Sequence, residues 1–271
     1  MPLSVLATPL GNLGDLSPRA REALETAEVI AAEDTRVTRK LLSALGLSAP
    51  RLVSYRGQDE ARRAEGVARL VEEGLRVVLV SDAGTPCVSD PGTPLVRLCH
   101  DRGLPVQALA GPSALAAALS VSGLPPIPSH FLGFSPRRPG PLRRWLLDMA
   151  RLPGTSVFFE GPRRTATTVA LIAELVPDRD VCLCRELTKQ HEEILLRPAA
   201  ALAAALAERD PLRGEVTLVV GPGAPPPDED ARPIGDTTSL KDISAALAKR
   251  WGISRRDAYQ RLLAFEDLTE S

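Results

Sequence analysis

Residues 76–86 read RVVLVSDAGTP, an unbroken run of valine and leucine that ends in a Ser-Asp-Ala-Gly-Thr-Pro turn. Strands of a parallel sheet have such runs, because helices cover both faces of the sheet. The stretch therefore predicts a central strand at Arg76–Val80. It also predicts that the turn after this strand lies at the carboxyl edge of the sheet.

The residues around this strand alternate between strand and helix patterns. Ser17-Pro18 is typical of a helix start, with serine as the N-cap and proline in the first turn, while Gly46 and Gly74 are typical of helix ends. This alternation predicts an α/β fold with a mostly parallel sheet. The predicted strands are Leu3–Leu10, Val29–Ala32, Arg51–Tyr55, Arg76–Val80 and Val106–Ala110, and the predicted helices are Pro18–Ala27, Thr35–Leu45, Asp59–Glu73, Pro94–Asp101 and Ser113–Val121.

A second half follows the proline-rich segment 123–129. Short links, such as the one between Glu186 and Glu193, suit antiparallel neighbours and predict a mixed sheet. We therefore predict two α/β domains, 1–122 and 123–225, with a cleft between them, and a linker with a small helical domain at 226–271. The predicted strands are Phe131–Phe134, Thr155–Glu160, Val181–Glu186, Glu193–Leu196 and Glu215–Val220, and the helices lie near Pro141–Arg151, Arg164–Val176, Ala199–Glu208, 240–251 and 254–265.

The composition excludes several classes of protein. Apolar residues make up 44% and charged residues 25% of the 271-residue chain, as in globular proteins, and no apolar run is long enough to cross a membrane. The net charge of −1 argues against non-specific binding to nucleic acid, including DNA. The four cysteines show no metal-binding or redox spacing and are predicted to be buried hydrophobes in a reducing compartment. With no secretory signal at the N-terminus, we expect a cytoplasmic protein.

Loops rich in Gly, Pro and Asp follow the predicted strands. One such loop is an ordinary turn. Ligands of open parallel sheets, however, bind outside the carboxyl ends of the strands, so several such loops at one edge favour a ligand site. These loops are residues 8–15, 33–36, 81–92 and 111–113 in the first half and 160–164 and 185–189 in the second.

The absence of other motifs narrows the kind of ligand. The chain has no G-x-G-x-x-G and no G-x-x-x-x-G-K-[ST], the loops that bind dinucleotides and triphosphates. It also has only three histidines and no H-E-x-x-H, so we expect no metal site. The loops suit a neutral or cationic adenosine-type ligand, held by backbone groups, better than a polyphosphate.

Eight segments carry a resemblance to a known family. They are ATPLGNLGDLSPRA (7–20), AEDTRVTRKLL (32–42), SDAGTPCVSDPG (81–92), AGPSALAAALSVSGLP (110–125), FLGFSPRR (131–138), FFEGPRR (158–164), RELTKQHEE (185–193) and RGEVTLVV (213–220). In these segments the sequence resembles the tetrapyrrole methylase superfamily and, within it, the bacterial 16S ribosomal RNA cytidine-2′-O-methyltransferases. AEDTR and RELTK distinguish the RNA enzymes from the corrin and porphyrin methylases.

The resemblance implies a homodimer of two-domain α/β chains that binds S-adenosylmethionine in the cleft between the domains. It further implies 2′-O-methylation of a cytidine ribose in 16S ribosomal RNA, presented by the small ribosomal subunit. By motif, the residues that would bind the donor are Pro9, Asp82, Gly84, Thr85, Pro86, Gly111, Pro112, Ser113, Phe159, Glu160, Pro162, Gly214 and Glu215.

Three residues are candidates for the chemistry at the acceptor. A ribose hydroxyl is a poor nucleophile, so a group that orients or deprotonates it is needed. We predict this role for Glu33, Asp34 or Lys189. The alternative for Asp34 is a helix cap, and for Glu33 a surface charge. The predicted RNA-binding residues are Arg36, Arg39, Arg137, Arg138, Arg143, Arg144, Arg163 and Arg164, although Arg36 and Arg39 also suit a solvated helix face.

Two other functions stay open at this stage. A methylase of corrin or porphyrin rings would share the fold and the donor pocket, and only the acceptor side would differ. A non-enzymatic nucleic-acid-binding protein would use the two C-terminal helices instead. The near-neutral charge and the many loops at strand ends count against the second alternative.

Overall fold

The structure of the chain is a computed structural model that describes residues 1–56, 60–225, 244–245, 247–248 and 254–260. Residues 1–225 form one compact unit and residues 226–271 form another. The predicted helix at 240–251 lies largely outside the described residues, and the one at 254–265 lies partly outside them. Within them, 244–245, 247–248 and 255–260 are helical, and the Ser254 hydroxyl accepts the Asp257 N–H at 3.1 Å as an N-cap does.

The first sheet has five parallel strands, as predicted, in the order β3-β2-β4-β1-β5. They are β1 (Leu3–Leu6), β2 (Val29–Ala32), β3 (Arg51–Ser54), β4 (Val77–Val80) and β5 (Val106–Leu109). The predicted β1 was too long, because Thr8 leaves the parallel ladder and forms an antiparallel bridge with Gly84. The residues after Leu6 therefore belong to the carboxyl edge of the sheet.

Helices cover both faces of this sheet. They are α1 (Pro18–Thr26), α2 (Thr35–Ala44), α3 (Glu60–Glu72) and α4 (Thr93–Asp101). Val78 and Val80 of β4 pack on the α1 and α2 side, whereas Val77 and Leu79 pack on the α3 and α4 side. Apolar residues are needed at every position of β4 because both faces are buried, which explains its unbroken run of valine and leucine.

The second sheet is mixed, as predicted, with the order β6-β7-β10-β8-β9. β6 and β7 are parallel, and β10, β8 and β9 add antiparallel strands. The strands are β6 (Ser129–Phe134), β7 (Thr155–Glu160), β8 (Asp180–Arg185), β9 (Glu193–Pro198) and β10 (Val216–Val220). The helices α6 (Pro139–Ala150), α7 (Thr165–Leu175) and α8 (Ala199–Ala207) pack on one face around Phe158, Leu183 and Leu218.

The other face of the second sheet is covered by α5 (Ala114–Ser122), which follows the last strand of the first sheet. Ala118 of this helix packs with Val157, Cys182 and Val219. One helix therefore joins the halves, because it leaves the first sheet and buries its small side chains against the second. Cys99, Cys182 and Cys184 are buried, as predicted, whereas Cys87 is only half-buried, so the cysteine prediction was wrong at that position.

Two negative findings concern the described residues alone. None of their helices is long and apolar enough to cross a membrane. Within the same part of the chain, no group of His, Cys, Asp and Glu is arranged to hold a metal ion.

Candidate active site

Loops at the carboxyl edge of the first sheet are hydrogen-bonded to one another. The Thr8 N–H donates to the Gly84 carbonyl at 2.8 Å, and the Gly84 N–H donates to the Thr8 carbonyl at 3.0 Å. The Thr85 hydroxyl donates to the Pro112 carbonyl at 3.0 Å, which adds the loop after β5. Gly84 has a φ of +80°, a conformation that favours glycine.

Carboxylates attach the loop after β2 to the loop after β4. Glu33 accepts the Asp82 N–H at 3.1 Å, and Asp82 accepts the Asp34 N–H at 3.0 Å. Each loop thus donates a backbone N–H to a carboxylate of the other. This exchange holds the ends of the two strands in a fixed relation.

A cavity of about 320 Å³ lies between these loops and the second sheet. Its size is within the range of about 300–1,000 Å³ that is usual for small-molecule sites. The predicted donor-binding residues that line it are Asp82, Gly84, Thr85, Ser113, Phe159, Glu160, Pro162, Gly214 and Glu215. The other lining residues are Leu10, Glu33, Ala83, Val88, Asp90, Ala114, Phe134, Gly161, Val216 and Thr217.

Four predicted donor-binding residues do not line the cavity, namely Pro9, Pro86, Gly111 and Pro112. Pro9 and Pro86 are buried, and the Pro112 carbonyl holds Thr85 in place. A Cβ atom added at Gly111 would lie 3.1 Å from the Cβ of Ala7, so glycine permits a close approach to the end of β1. These residues shape the loops that form the wall.

The cavity has a strongly acidic lining. Glu33, Asp82, Asp90 and Glu215 line it, and none of the described residues that do so is a lysine or arginine. Burial, together with the negative charge of Glu33, raises the pKa of Asp90 to about 6. Burial also raises the pKa of Glu33 and of Asp82. A polyphosphate would be repelled here, whereas a cation would be attracted.

Asp34 is the N-cap of α2, so the cap alternative is confirmed. Its Oδ1 accepts the Arg36 backbone N–H at 2.9 Å, and its Oδ2 accepts Arg36 Nη2 at 2.6 Å and Arg56 Nη1 at 3.4 Å. The hydrogen bonds from Arg36 hold the pKa of Asp34 well below its usual range. A carboxylate with a low pKa is a weak base. Asp34 is therefore better suited to positioning the start of α2 and its arginine.

Lys189 is bonded to two glutamates. Its Nζ donates to Glu186 Oε1 at 2.9 Å and to Glu215 Oε2 at 3.1 Å. Burial lowers the pKa of Lys189, but the hydrogen bonds to Glu186 and Glu215 outweigh it and raise the pKa overall, so the amine is protonated. A Cβ atom at Gly11 would overlap Lys189 Cγ, so this glycine gives the lysine room against the first half. Lys189 can orient an acceptor oxygen as a donor, but it cannot take up a proton.

Glu160 lines the cavity, but its buried carboxylate is occupied by protein donors. The hydroxyls of Ser135 and Thr168 donate at 2.7 and 2.5 Å, and the Gly161 N–H donates at 2.6 Å. Arg164 forms an ion pair with the same carboxylate. This network fixes the end of β7 and the turn after it, from which Phe159 and Pro162 respectively line the cavity.

The predicted RNA-binding arginines differ in their surroundings. Arg164 is held by Glu160, Arg143 pairs with Glu174 at 2.7 Å, and the exposed Arg36 pairs with Asp34. The side chains of the remaining five are exposed, namely Arg39, Arg137, Arg138, Arg144 and Arg163. Three of these five lie close in sequence to cavity-lining residues. Arg163 follows Pro162, and Arg137 and Arg138 follow Phe134.

Sequence reasoning did not select two residues that the cavity brings together. Asp90 lies within the SDAGTPCVSDPG segment, and Phe134 lies within FLGFSPRR. The Phe134 side chain is 61% exposed and packs edge-to-face on Phe159, with ring centroids 5.3 Å apart. An aromatic residue directly before Ser-Pro-Arg-Arg was the available signal for Phe134. The sequence carries no such signal for Asp90, because burial and charged neighbours depend on the fold.

Residues 2–203 match the family described as Tetrapyrrole (Corrin/Porphyrin) Methylases. The chain belongs to the tetrapyrrole methylase family. Relatives named Ribosomal RNA small subunit methyltransferase I are similar over most of its length. That of Mycobacterium tuberculosis (strain CDC 1551 / Oshkosh) is 45% identical, over 81% of this chain and 77% of the relative. That of Mesorhizobium japonicum is 37% identical, over 98% and 92%.

Solved structures support the methylase fold. The methyltransferase CobJ aligns with a TM-score of 0.59 and 21% identity, over 82% of this chain and 95% of CobJ. Diphthine synthase aligns with a TM-score of 0.58 and 17% identity, over 82% of this chain and 90% of the synthase. These likenesses confirm the predicted two-sheet α/β architecture.

As a tetrapyrrole methylase, the chain is a methyltransferase that uses S-adenosylmethionine. The cavity fits this donor, because carboxylates without a competing lysine or arginine complement its sulfonium and ammonium charges. When bound, the donor supplies a methyl group by in-line displacement from sulfur. The task of the protein is then to position an acceptor and to exclude water.

Proposed function

We propose that this methylase transfers a methyl group to the 2′-hydroxyl of a cytidine in 16S ribosomal RNA, within the small ribosomal subunit. The proposal rests chiefly on relatives named Ribosomal RNA small subunit methyltransferase I, which are 37–45% identical over 81–98% of the chain. A ribosomal substrate implies a cytoplasmic location. The homodimer that the sequence resemblance implies stays a prediction.

The surroundings of the cavity support an RNA acceptor. Proteins recognise single-stranded RNA by stacking unpaired bases on aromatic side chains. Phe134 offers an exposed ring at the cavity, and its contact with Phe159 holds that ring in place. The exposed Arg137 and Arg138 lie three and four residues further along the chain. Arginine binds phosphate oxygens, so these residues are suited to the RNA backbone beside a base on Phe134.

The residues can be assigned to three tasks under this proposal. The donor is bound by the cavity-lining residues, with Asp82 and Gly84 on the first half and Gly214 and Glu215 on the second. Lys189, held between two glutamates, orients the acceptor oxygen as a hydrogen-bond donor. Glu33 and Asp34 hold the strand ends together through the bonds described above.

The proposal is tested by incubating the purified protein with methyl-labelled S-adenosylmethionine and one of three acceptors. These are small ribosomal subunits that lack the modification, naked 16S ribosomal RNA, and a porphyrinogen. We expect label in ribosomal RNA at a single cytidine. A methyl on the 2′-oxygen blocks alkaline cleavage of the adjoining linkage, so mass spectrometry of the resistant dinucleotide locates it. Label in the porphyrinogen alone would contradict the proposal.

Replacing Arg137 and Arg138 together by alanine is expected to weaken binding to RNA while leaving donor binding intact. Each phosphate contact contributes about −0.7 to the slope of log K against log salt for single-stranded nucleic acid. The double variant should therefore bind the small subunit more weakly and reduce the magnitude of the slope by about 1.4. Filter binding at several salt concentrations measures both quantities.

The matched control is the double variant Arg51→Ala with Arg76→Ala. Both arginines are exposed, and they lie at or just before the amino ends of β3 and β4, at the opposite edge of the first sheet. This control removes the same charge from a surface that the proposal does not use. Equal losses of RNA affinity in the two double variants would show that the effect is only one of net charge.

A further inference from the structure

The loop after β4 carries Asp90 into the cavity on a tightly packed backbone. The Gly92 N–H donates to Glu60 Oε1 at 2.6 Å. Gly92 has a φ of +140°, and a Cβ atom there would lie 2.6 Å from Cys87 Sγ and 2.8 Å from Leu79 Cδ2. The loop therefore has little freedom to move, and the position of Asp90 is set by the core beneath it.

The same loop reaches the second half of the chain beside the exposed aromatic ring. A Cβ atom at Gly133 would lie 3.4 Å from the hydroxyl of Ser89. Ser89 is the neighbour of Asp90, and Gly133 is the neighbour of Phe134. Both Asp90 and Phe134 line the cavity. Asp90 thus lies where the two halves meet. A nucleotide whose base stacks on the Phe134 ring would place its ribose on this side of the cavity.

Asp90 differs from the other carboxylates around the cavity in its bonding. Asp34 is bonded by two arginines and Glu160 by four protein donors, as described above. Glu33 and Asp82 each accept a backbone N–H, and Glu215 accepts Lys189. Asp90 interacts with the Ser81 hydroxyl, and among the described residues neither a backbone N–H nor a lysine or arginine bonds to it. Its carboxylate is therefore available to an incoming acceptor.

We propose that Asp90 is the general base of the methyl transfer and accepts the proton of the acceptor ribose. This inference rests on the proposed function. In the step, the 2′-oxygen gives its proton to the Asp90 carboxylate as a lone pair of that oxygen forms a bond to the methyl carbon. The bond between methyl and sulfur breaks with both electrons on sulfur, which leaves a neutral thioether. Asp90 then releases the proton to solvent.

The charges that face Asp90 suit it to this role. Glu33 follows β2, Asp82 follows β4 and Glu215 precedes β10, and all three are negative. Burial and these charges raise the pKa of Asp90 to about 6, with Glu33 the largest of the charged contributors. A general base whose pKa lies near the working pH is ionised in a large fraction of the molecules and still binds a proton strongly enough to remove it from the acceptor.

The test is the single-turnover rate of methyl transfer to small subunits, measured from pH 5 to pH 9, with donor binding measured separately by calorimetry. In the wild type we expect the rate to rise with pH through about 6 and then to level off, because the base must be ionised. Asp90→Asn should lower the plateau by about 10²–10⁴-fold, the usual size of a general-base contribution, and should remove the rise. Because Asp90 also lines the donor cavity, the rates are compared at donor concentrations that saturate each protein, as set by its calorimetric Kd.

Glu33→Gln is the matched variant, since it also replaces one cavity carboxylate by its amide. Glu33 is the charged residue that most raises the pKa of Asp90, so Glu33→Gln should lower that pKa and move the rise in rate to lower pH. A loss of rate in Glu33→Gln that equals or exceeds the loss in Asp90→Asn would overturn the assignment. So would a pH-dependent rise that persists in Asp90→Asn. A wild-type protein that methylates no ribose would instead refute the proposed function.

A measurement without substrate checks the same carboxyl group. The folded-state pKa of about 6 exceeds the reference value of 3.8, so ionisation of Asp90 costs stability as pH rises from about 4 to 6. Asp90→Asn removes that cost. The difference in Tm, variant minus wild type, should be larger at pH 7.5 than at pH 4. An equal Tm difference at pH 4 and pH 7.5 would mean that ionisation of Asp90 does not destabilise the folded protein, which would contradict the inference.

Discussion

Replacing Glu160 by alanine is expected to lower the free energy of unfolding by about 3–5 kcal/mol, the cost of removing one partner from a buried ion pair. Glu160 is 3% exposed, and its carboxylate accepts hydrogen bonds from Ser135, Thr168 and Gly161 besides pairing with Arg164. The substitution leaves these donors and a partly buried guanidinium without an acceptor. Urea denaturation followed by circular dichroism measures the loss.

A surface pair in the same half provides the control for Glu160. Glu174 lies on α7 with a side chain that is 58% exposed, and it pairs with Arg143 at 2.7 Å. Exposed pairs contribute about 0–1 kcal/mol, so Glu174→Ala should change stability by no more than that. Equal effects of the two substitutions would show that solvent reaches Glu160 freely. The Glu160 variant should also bind S-adenosylmethionine more weakly, because the turn that it holds forms part of the cavity wall.

The second large effect is expected at Gly84, where alanine should weaken donor binding by about 10–100-fold, or about 1.4–2.8 kcal/mol. Gly84 lines the cavity, and a Cβ atom there would lie 3.1 Å from Cδ2 of Leu10, another lining residue. Gly84 also exchanges two backbone hydrogen bonds with Thr8. In Gly84→Ala the backbone must shift to relieve the contact with Leu10. This shift disturbs the loops after β1 and β4, which form part of the donor site. Calorimetric titration with S-adenosylmethionine gives the change in Kd.

The substitution Gly46→Ala is the control that distinguishes the effect of backbone strain from the effect on the cavity. Its φ of +71° is close to the +80° of Gly84, but a Cβ atom at Gly46 would meet nothing within 4 Å. Alanine at either position costs about 1–2 kcal/mol of stability for the left-handed conformation. Only Gly84→Ala should change the Kd for the donor. A similar loss of affinity in Gly46→Ala would mean that the donor site responds to global stability alone.

The elements of the fold were predictable because local signals define them. β2 and β7 have the predicted bounds, and α1 begins after Ser17, whose hydroxyl accepts the Ala20 N–H at 3.2 Å. Most other predicted strands and helices end within one or two residues of their observed limits. The main error was the predicted strand Leu3–Leu10, because its last residues pair with the loop after β4 instead of continuing the parallel ladder. Such a pairing is between residues 76 apart and leaves no local signal.

The site was predictable to a smaller extent. Parallel strands bring their carboxyl ends to one edge, so the loops that contain Asp82 and Ser113 were expected to meet. The roles of charged residues were not predictable in the same way. Asp34 is neutralised by Arg36 and Arg56, whereas Asp90 is half-buried near negative charges. Both follow a strand in the sequence, and only their neighbours in space distinguish a helix cap from a candidate base.

The order and the kind of the elements, the parallel first sheet, the mixed second sheet and the membership of the methylase family could all be inferred from the order of the amino acids. Hydrophobic period, caps and turn residues act over a few positions, so one sequence expresses them directly. Three relations are visible only in the folded chain: α5 packs against the second sheet, Lys189 lies next to Gly11, and Asp90 lines the same cavity as Phe134. These relations depend on burial and on charges distant in the chain, and such quantities exist only after both halves have packed together.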